Sequence, residues 1–248
     1  MKILGVIPAR YASSRFPGKA LASIAGTTMI ERVYKQAIQS KLITKTVVAT
    51  DDKRIEDHVK SFGGEVVMTS VEHPSGTDRC FEALQKTPGD FDFVINIQGD
   101  EPFIDPVQID ELAGMLADPT VQLATLMTAV KDPSILFDHG EVKIVLNHRS
   151  EALYFSREVI PHLRGVDRRE WPNHFDYYCH VGLYAYRSDI LEEITQLEPS
   201  SLENAESLEQ LRWLENGYRI KCGITDIKTF PIDTPEDIDK VLKQKNFI

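Results

Sequence analysis

The sequence predicts an α/β protein with a mostly parallel sheet and helices on both faces. Two observations carry that prediction. The first hundred residues alternate short apolar runs with stretches whose apolar residues recur at helical spacing, the pattern of repeated strand–helix units. The apolar runs also open into polar loops bearing charge, glycine or proline, and open parallel sheets bind ligands at the carboxyl ends of their strands.

The elements follow in order. Ile3 to Ile7 reads as a buried first strand, followed by a polar loop from Pro8 to Lys19. Thr28 to Ser40 places Met29, Ile30, Val33, Tyr34, Ala37 and Ile38 on one helical face. Thr46 to Thr50 is a second strand. Asp51 to Phe62 is a helix capped by Asp51 or Asp52 and stopped by Gly63-Gly64. Glu65 to Met68 is a third strand, Thr77 to Gln85 a helix and Phe91 to Ile97 a fourth strand, with another helix near Pro106. The second half is less regular. Glu141–Leu146, Ala152–Phe155, Tyr178–Tyr186 and Tyr218–Ile224 read as strands, Leu163–Phe175 as loop and Ser200–Asn216 as one strong helix. A last helix runs from Pro235 to Leu242 behind a Thr234 cap. No linker-like stretch separates these segments, so the expectation is a single domain over 1–248 with a substrate-binding insertion at about 140–188.

The net charge of −10 disfavours nonspecific binding to nucleic acid or anionic membranes. An anionic substrate therefore needs locally concentrated cations. Cys80, Cys179 and Cys222 have neither zinc nor disulfide spacing, which is simplest in a reducing cytoplasm. The opening MKILGVIPAR is broken by Pro8 and Arg10, unlike a signal peptide, and no segment has the roughly 20 apolar residues of a membrane span.

Two loops carry chemistry. IPARYASSRFPGK, Ile7 to Lys19, gathers Arg10, Arg15 and Lys19 with no acid among them. Such a trio repels itself until a polyanion lies between its members. Gly18 and the small residues Ala12, Ser13 and Ser14 let backbone N–H groups approach phosphate oxygens. The spacing is neither that of a P-loop nor a G-x-G-x-x-G turn, and a solvated basic loop remains an equal reading of these residues taken alone. NIQGDEP, Asn96 to Pro102, projects Asp100 and Glu101 from a strand end, where a carboxylate can hold Mg2+ among phosphate oxygens. The alternative is that Asp100 caps the turn toward Pro106. Asp233, in IDTPED, is a second metal candidate, with local turn chemistry as its plainer role.

In the second half, Arg157 ends an apolar strand and can pair with a carboxylate, with a surface ion pair as its plainer role. His180 and Tyr184 share a strand face and could present hydrogen-bonding groups to a ligand, with a satisfied structural histidine as the plainer reading of His180. Glu203, Glu206 and Glu209 form an acidic stripe that reads as a solvated helix face.

Beyond these individual readings, the chain resembles the bacterial 3-deoxy-manno-octulosonate (KDO) cytidylyltransferases. IPARYASSRFPGK, ATD at 49–51, HPSGTDR at 73–79, NIQGDEP, VKIVL at 142–146, ALYFSR at 152–157, HVGLYAYR at 180–187, SLEQLR at 207–212 and IDTPEDI at 232–238 occur in the family's order. The resemblance implies the Rossmann-like nucleotide-diphospho-sugar transferase fold, usually as a homodimer. It implies transfer of CMP from CTP to KDO with release of pyrophosphate, for lipopolysaccharide biosynthesis. It further implies that Ala9, Arg10, Arg15 and Lys19 bind the triphosphate end of CTP, with catalytic work falling to Lys19, Arg10, Arg15 and Asp100. Ser75, Gly76 and Thr77 would seat the cytosine end, with Arg79 nearby, and Asp100 and Asp233 would bind Mg2+. Gln98, Arg157, His180, Tyr184, Glu209 and Gln210 would contact the sugar. Rival readings are a cytidylyltransferase for a sialic acid or an 8-amino KDO analogue, a nucleotide-sugar-dependent glycosyltransferase, and a non-catalytic nucleotide sensor.

Overall fold

The computed structural model describes residues 1–12 and 16–244. The chain divides into two compact units, Met1–Ala113 with Thr229–Ile248, and Gly114–Lys228.

In the first unit, β1 (Ile3–Ala9) is followed by a two-strand ribbon, β2 (Ser23–Ile24) and β3 (Thr27–Thr28). Then come α1 (Met29–Ala37), β4 (Lys45–Thr50), α2 (Lys53–Ser61), β5 (Val66–Met68), α3 (Gly76–Lys86), β6 (Phe93–Asn96) and α4 (Pro106–Met115). The order β6-β1-β4-β5 is parallel throughout. Ile3, Leu4, Val6 and Ile7 are fully buried in succession, so both faces of β1 are covered, as in sheets flanked by helices on each side. Asp52 settles the cap of α2 by accepting the Arg54 N–H at 2.9 Å. Ser75 caps α3, accepting from the N–H groups of Thr77 and Asp78. The closing helix, Pro235–Gln244, joins Ile232, Val241 and Leu242 to a core with Ile24 and Met29.

The second unit contains β7 (Leu123–Val130), β8 (Lys143–Leu146), β9 (Ala152–Ser156), β10 (Tyr177–Arg187) and β11 (Ile220–Ile224). Strand β7 pairs parallel with β11 and antiparallel with β10, while β8 pairs antiparallel with both β10 and β9. Its helices are α5 (Pro133–Leu136), α6 (Trp171–His174), α7 (Ser188–Thr195), α8 (Ser201–Glu206) and α9 (Gln210–Glu215).

Two expectations need correction here. Ser200–Asn216 is not one helix. It breaks at Ser207, which adopts the left-handed conformation at φ 53°. The break lets α9 fold back, so that Arg212 grips Glu203 with two bonds of 2.6 Å. In a continuous helix those residues would lie roughly 13 Å apart along the axis. The supposed loop Leu163–Phe175 contains a 3-10 turn, Arg168–Glu170, leading into α6. Trp171 drives this order: its ring is buried, stacked on Tyr177 at 6.3 Å, and its Nε1 donates to the Val166 carbonyl.

Candidate active site

Lys19 reaches its position through Gly18. That residue has φ 71°, a left-handed conformation suited to glycine, and its N–H donates to the Tyr11 carbonyl at 2.9 Å. The chain then enters the 3-10 turn Lys19–Leu21. The Lys19 ammonium contacts Asp100 at 2.8 Å and Asp233 at 3.3 Å. A backbone bond from the Ile232 N–H to the Asp100 carbonyl, 2.9 Å, ties the two acidic segments together. Two carboxylates predicted from separate motifs thus converge on the ammonium predicted from a third.

The capping alternatives for both aspartates are filled by other residues. Asp105 serves the turn into α4, accepting the Val107 N–H at 2.9 Å. Asp237 accepts from the N–H groups of Asp233 and Thr234 and from the Thr234 hydroxyl, and these donors with Lys240 hold its carboxyl well below the usual range. Glu101 does not project beside Asp100. It is 6% exposed, whereas the Asp100 side chain is 29% exposed. Burial, with the Asp100 charge beside it, pushes the Glu101 carboxyl up to about 8. Gly99 immediately precedes the acidic pair. A Cβ there would sit 2.6 Å from the Pro8 carbonyl, so glycine allows the acidic turn to pass against the end of β1.

Ala9, the last residue of β1, is buried at 5%. Arg10 Nη2 donates to the carbonyls of His73 and Ser75, the latter at 3.3 Å. The loop before α3, with Ser75, Gly76 and Thr77, therefore lies against the first cationic loop. Arg15 lies outside the described residues. Arg79 is fully buried, donates to the Thr69 hydroxyl and pairs with Asp51 at 3.5 Å. Desolvation lowers its pKa, and it supports the site from beneath. Gln98 stands half-buried, its carbonyl accepting the Glu101 N–H.

The sugar-side residues other than Gln98 belong to the second unit. His180 and Tyr184 are ring neighbours at 5.0 Å. They keep one face despite the register shift between Val181 and Tyr184, because two extra residues preserve the alternation. The Thr125 hydroxyl lies 3.0 Å from His180 Nε2 and within reach of the carbonyls of Leu183, at 2.8 Å, and Val181, at 3.2 Å, which ties the imidazole to the strand backbone. Desolvation pushes His180 down to about 3 and, helped by Tyr186, Cys222 and Glu209, raises Tyr184 well above its ordinary value. Both are neutral hydrogen-bonding groups near pH 7. Gln210 begins α9 and is buried at 6%, beside half-buried Glu209.

Arg157 is fixed by Glu206, whose carboxylate accepts its backbone N–H at 2.9 Å and whose carbonyl accepts its Nε at 2.8 Å. Glu206 is therefore an organising residue, not part of a solvated stripe. Lys143, inside the VKIVL motif, is fully buried and donates to the carbonyls of Asp138, Glu141 and Arg157. Lys143 and Glu82 were not singled out in the sequence, although Lys143 lies in the VKIVL motif, while Asp51 was read only as a candidate helix cap and Glu206 only as part of a solvated face.

The cytidylyltransferase family profile matches residues 4–222. A 3-deoxy-manno-octulosonate cytidylyltransferase of Bacteroides thetaiotaomicron is 56% identical over 96% of this chain and 96% of its own length. The chain belongs to the 3-deoxy-manno-octulosonate cytidylyltransferase family. A relative of the same name from Parabacteroides distasonis is 55% identical over 98% of this chain and 97% of its own. A solved CMP:2-keto-3-deoxy-manno-octonic acid synthetase complexed with CTP superposes with a TM-score of 0.91 at 43% identity, covering 100% of this chain and 99% of that one. The resemblance carried by the motifs is thus borne out, as is the Rossmann-like nucleotidyltransferase fold. No helix of the described residues is long and apolar enough to cross a membrane.

Proposed function

We propose that the chain transfers CMP from CTP to KDO, yielding CMP-KDO and pyrophosphate, with Mg2+ as cofactor. The observation that carries this reading is the meeting of Lys19 with Asp100 and Asp233 at the ends of otherwise buried elements. One cation held by two carboxylates from distant segments is a charge arrangement that a metal–triphosphate pair can enter.

The residues fit Mg2+. Both donors are carboxylates, and this ion is commonly held by one or two of them together with substrate phosphates. Among the described residues no cluster of three or more potential ligands occurs, in keeping with a site completed by substrate. Asp100 and Asp233 would hold the ion. When bound, it supplies Lewis acidity toward the phosphates and the attacking hydroxyl.

The chain's own groups supply charge and orientation. The anomeric hydroxyl of KDO attacks the α-phosphorus of CTP in line, and pyrophosphate leaves. Lys19 and Arg10, with Arg15, neutralise the negative charge that builds on the leaving group. Ser75, Gly76 and Thr77 seat the nucleoside end over buried Arg79. Arg157 meets the KDO carboxylate, while Gln98, His180, Tyr184, Glu209 and Gln210 bind its hydroxyls. The reading extends to a homodimer formed with the 140–188 segment, acting in the cytoplasm in lipopolysaccharide biosynthesis.

The test is pyrophosphate release with CTP, Mg2+ and KDO, omitting each in turn. Release must require all three. Release with a sialic acid or an 8-amino KDO analogue in place of KDO would move the assignment to that acid sugar. CTP binding without release would favour a sensor. Consumption of a nucleotide sugar without pyrophosphate would favour a glycosyltransferase.

A further inference from the structure

Arg10 leans on a loop that is fastened from its far side. Its Nη2 donates to the carbonyls of His73 and Ser75, so the backbone conformation of this short segment decides where the guanidinium points. Ser75 fastens one end by capping α3. Glu82 fastens the other. From less than two turns into α3, its carboxylate accepts the Ser70 N–H at 2.7 Å and contacts His73 Nε2. The loop is therefore tied at residues 70, 73 and 75 to one helix.

Glu82 also has an ordinary helix-surface partner, Lys86, at 2.6 Å. An i,i+4 pair of that kind needs no loop contact. Burial alone would raise the Glu82 pKa, yet Lys86, the Ser70 N–H and His73 together hold it down to about 2, so the loop bonds are made to a carboxylate. The Glu82 charge has a further effect. Buried Arg79 feels repulsion from Arg10 and attraction from Asp51 and Glu82, so Glu82 helps two neighbouring cations coexist.

We infer that Glu82 is a positioning residue for the triphosphate: through His73 and Ser70 it sets the carbonyls that aim Arg10. The inference rests on the reading that Arg10 binds CTP. The test is steady-state kinetics with CTP, KDO and Mg2+, with the melting temperature of each variant measured alongside. Glu82→Ala is expected to raise the KM for CTP roughly tenfold, since small misplacements of a binding group cost rate and affinity steeply, and to leave the KM for KDO within about twofold. Glu82→Gln keeps one acceptor and recovers part of the loss, and it serves if the alanine variant does not fold. In an Arg10→Ala background, Glu82→Ala adds less than about twofold, because the group it positions is gone.

A Glu82 variant that lowers the melting temperature but leaves the KM for CTP unchanged would overturn the inference. So would a full additional effect in the Arg10→Ala background. An Arg10→Ala single variant with normal KM for CTP would remove the premise instead, and that failure is read before any Glu82 variant is made.

Discussion

Replacing Lys143 by methionine should destabilise the fold by about 1–2 kcal/mol. The figure follows from the surroundings of one ammonium. Lys143 is fully buried, and its donors meet the carbonyls of Asp138 at 2.8 Å, Glu141 at 2.6 Å and Arg157. Desolvation lowers its pKa, so the buried charge itself is a cost. Methionine keeps much of the shape and removes the charge. The carbonyls of Glu141 and Arg157 then lose their donor, while that of Asp138 keeps the Glu141 N–H at 3.2 Å, and the cost is roughly 1–3 kcal/mol for each buried group left unsatisfied. The lower end applies, because a carbonyl with one lone pair unfilled is tolerated better than an orphaned N–H. Relief of the charge's desolvation offsets part of that sum, which leaves the stated range. Urea denaturation at pH 7, comparing transition midpoints at equal slope, measures it. A methionine variant within about 0.5 kcal/mol of the parent, the scatter of substitutions that break nothing, would refute the reasoning. Because one of the carbonyls is that of Arg157, the KM for KDO should also rise while the KM for CTP stays put.

Four further outcomes are expected. Lys19→Ala should fold normally and lose turnover by roughly two to three orders of magnitude in pyrophosphate release, the scale set by removing one preorganised charge-stabilising donor; near-normal turnover would reject its role. Asp233→Asn should raise the Mg2+ concentration needed for half-maximal activity more than it raises the KM for CTP, and an unchanged Mg2+ requirement would count against metal binding there. Glu101 has a folded pKa of about 8 against an ordinary 4.5, so the native state holds the extra proton across that window and stability falls as pH rises through it. At about 1.4 kcal/mol per unit, the parent in chelator should lose about 3–4 kcal/mol relative to Glu101→Gln between pH 5 and 8, read by urea titration at several pH values. Ser207→Gly should raise the melting temperature by the equivalent of about 0.5–1 kcal/mol, since glycine meets the left-handed conformation without a Cβ penalty.

Much of the first unit was legible because its signals are local. Apolar runs gave β1, β4, β5 and β6 within a residue or two, and Asp52 and Pro235 marked helix starts where the structure has them. Strand β7, LATLMTAV, went unread. Its residues are buried for five consecutive positions, which removes the alternation that distinguishes a strand from a buried helix segment. The break at Ser207 was also hidden. Serine carries no strong signal for a left-handed turn, and the cause is tertiary, in the return of Arg212 to Glu203.

The site shows a subtler division. Its cations and acids could be named from their loops, but each acidic turn contains more carboxylates than the chemistry uses. In the turn after β6, Asp100, Glu101 and Asp105 lie within six residues; at the start of the closing helix, Asp233, Glu236 and Asp237 lie within five. Composition cannot separate them, because the assignment depends on which backbone N–H groups need an acceptor. Asp105 and Asp237 satisfy those donors, and Glu101 is buried. The carboxylates of Asp100 and Asp233 are thereby left to meet Lys19, 81 and 214 residues away from it in sequence. The capping residues thus shape the active site as much as the residues that meet in it: Asp237 takes the N–H groups of residues 233 and 234, and the carboxylate of Asp233 contacts the Lys19 ammonium.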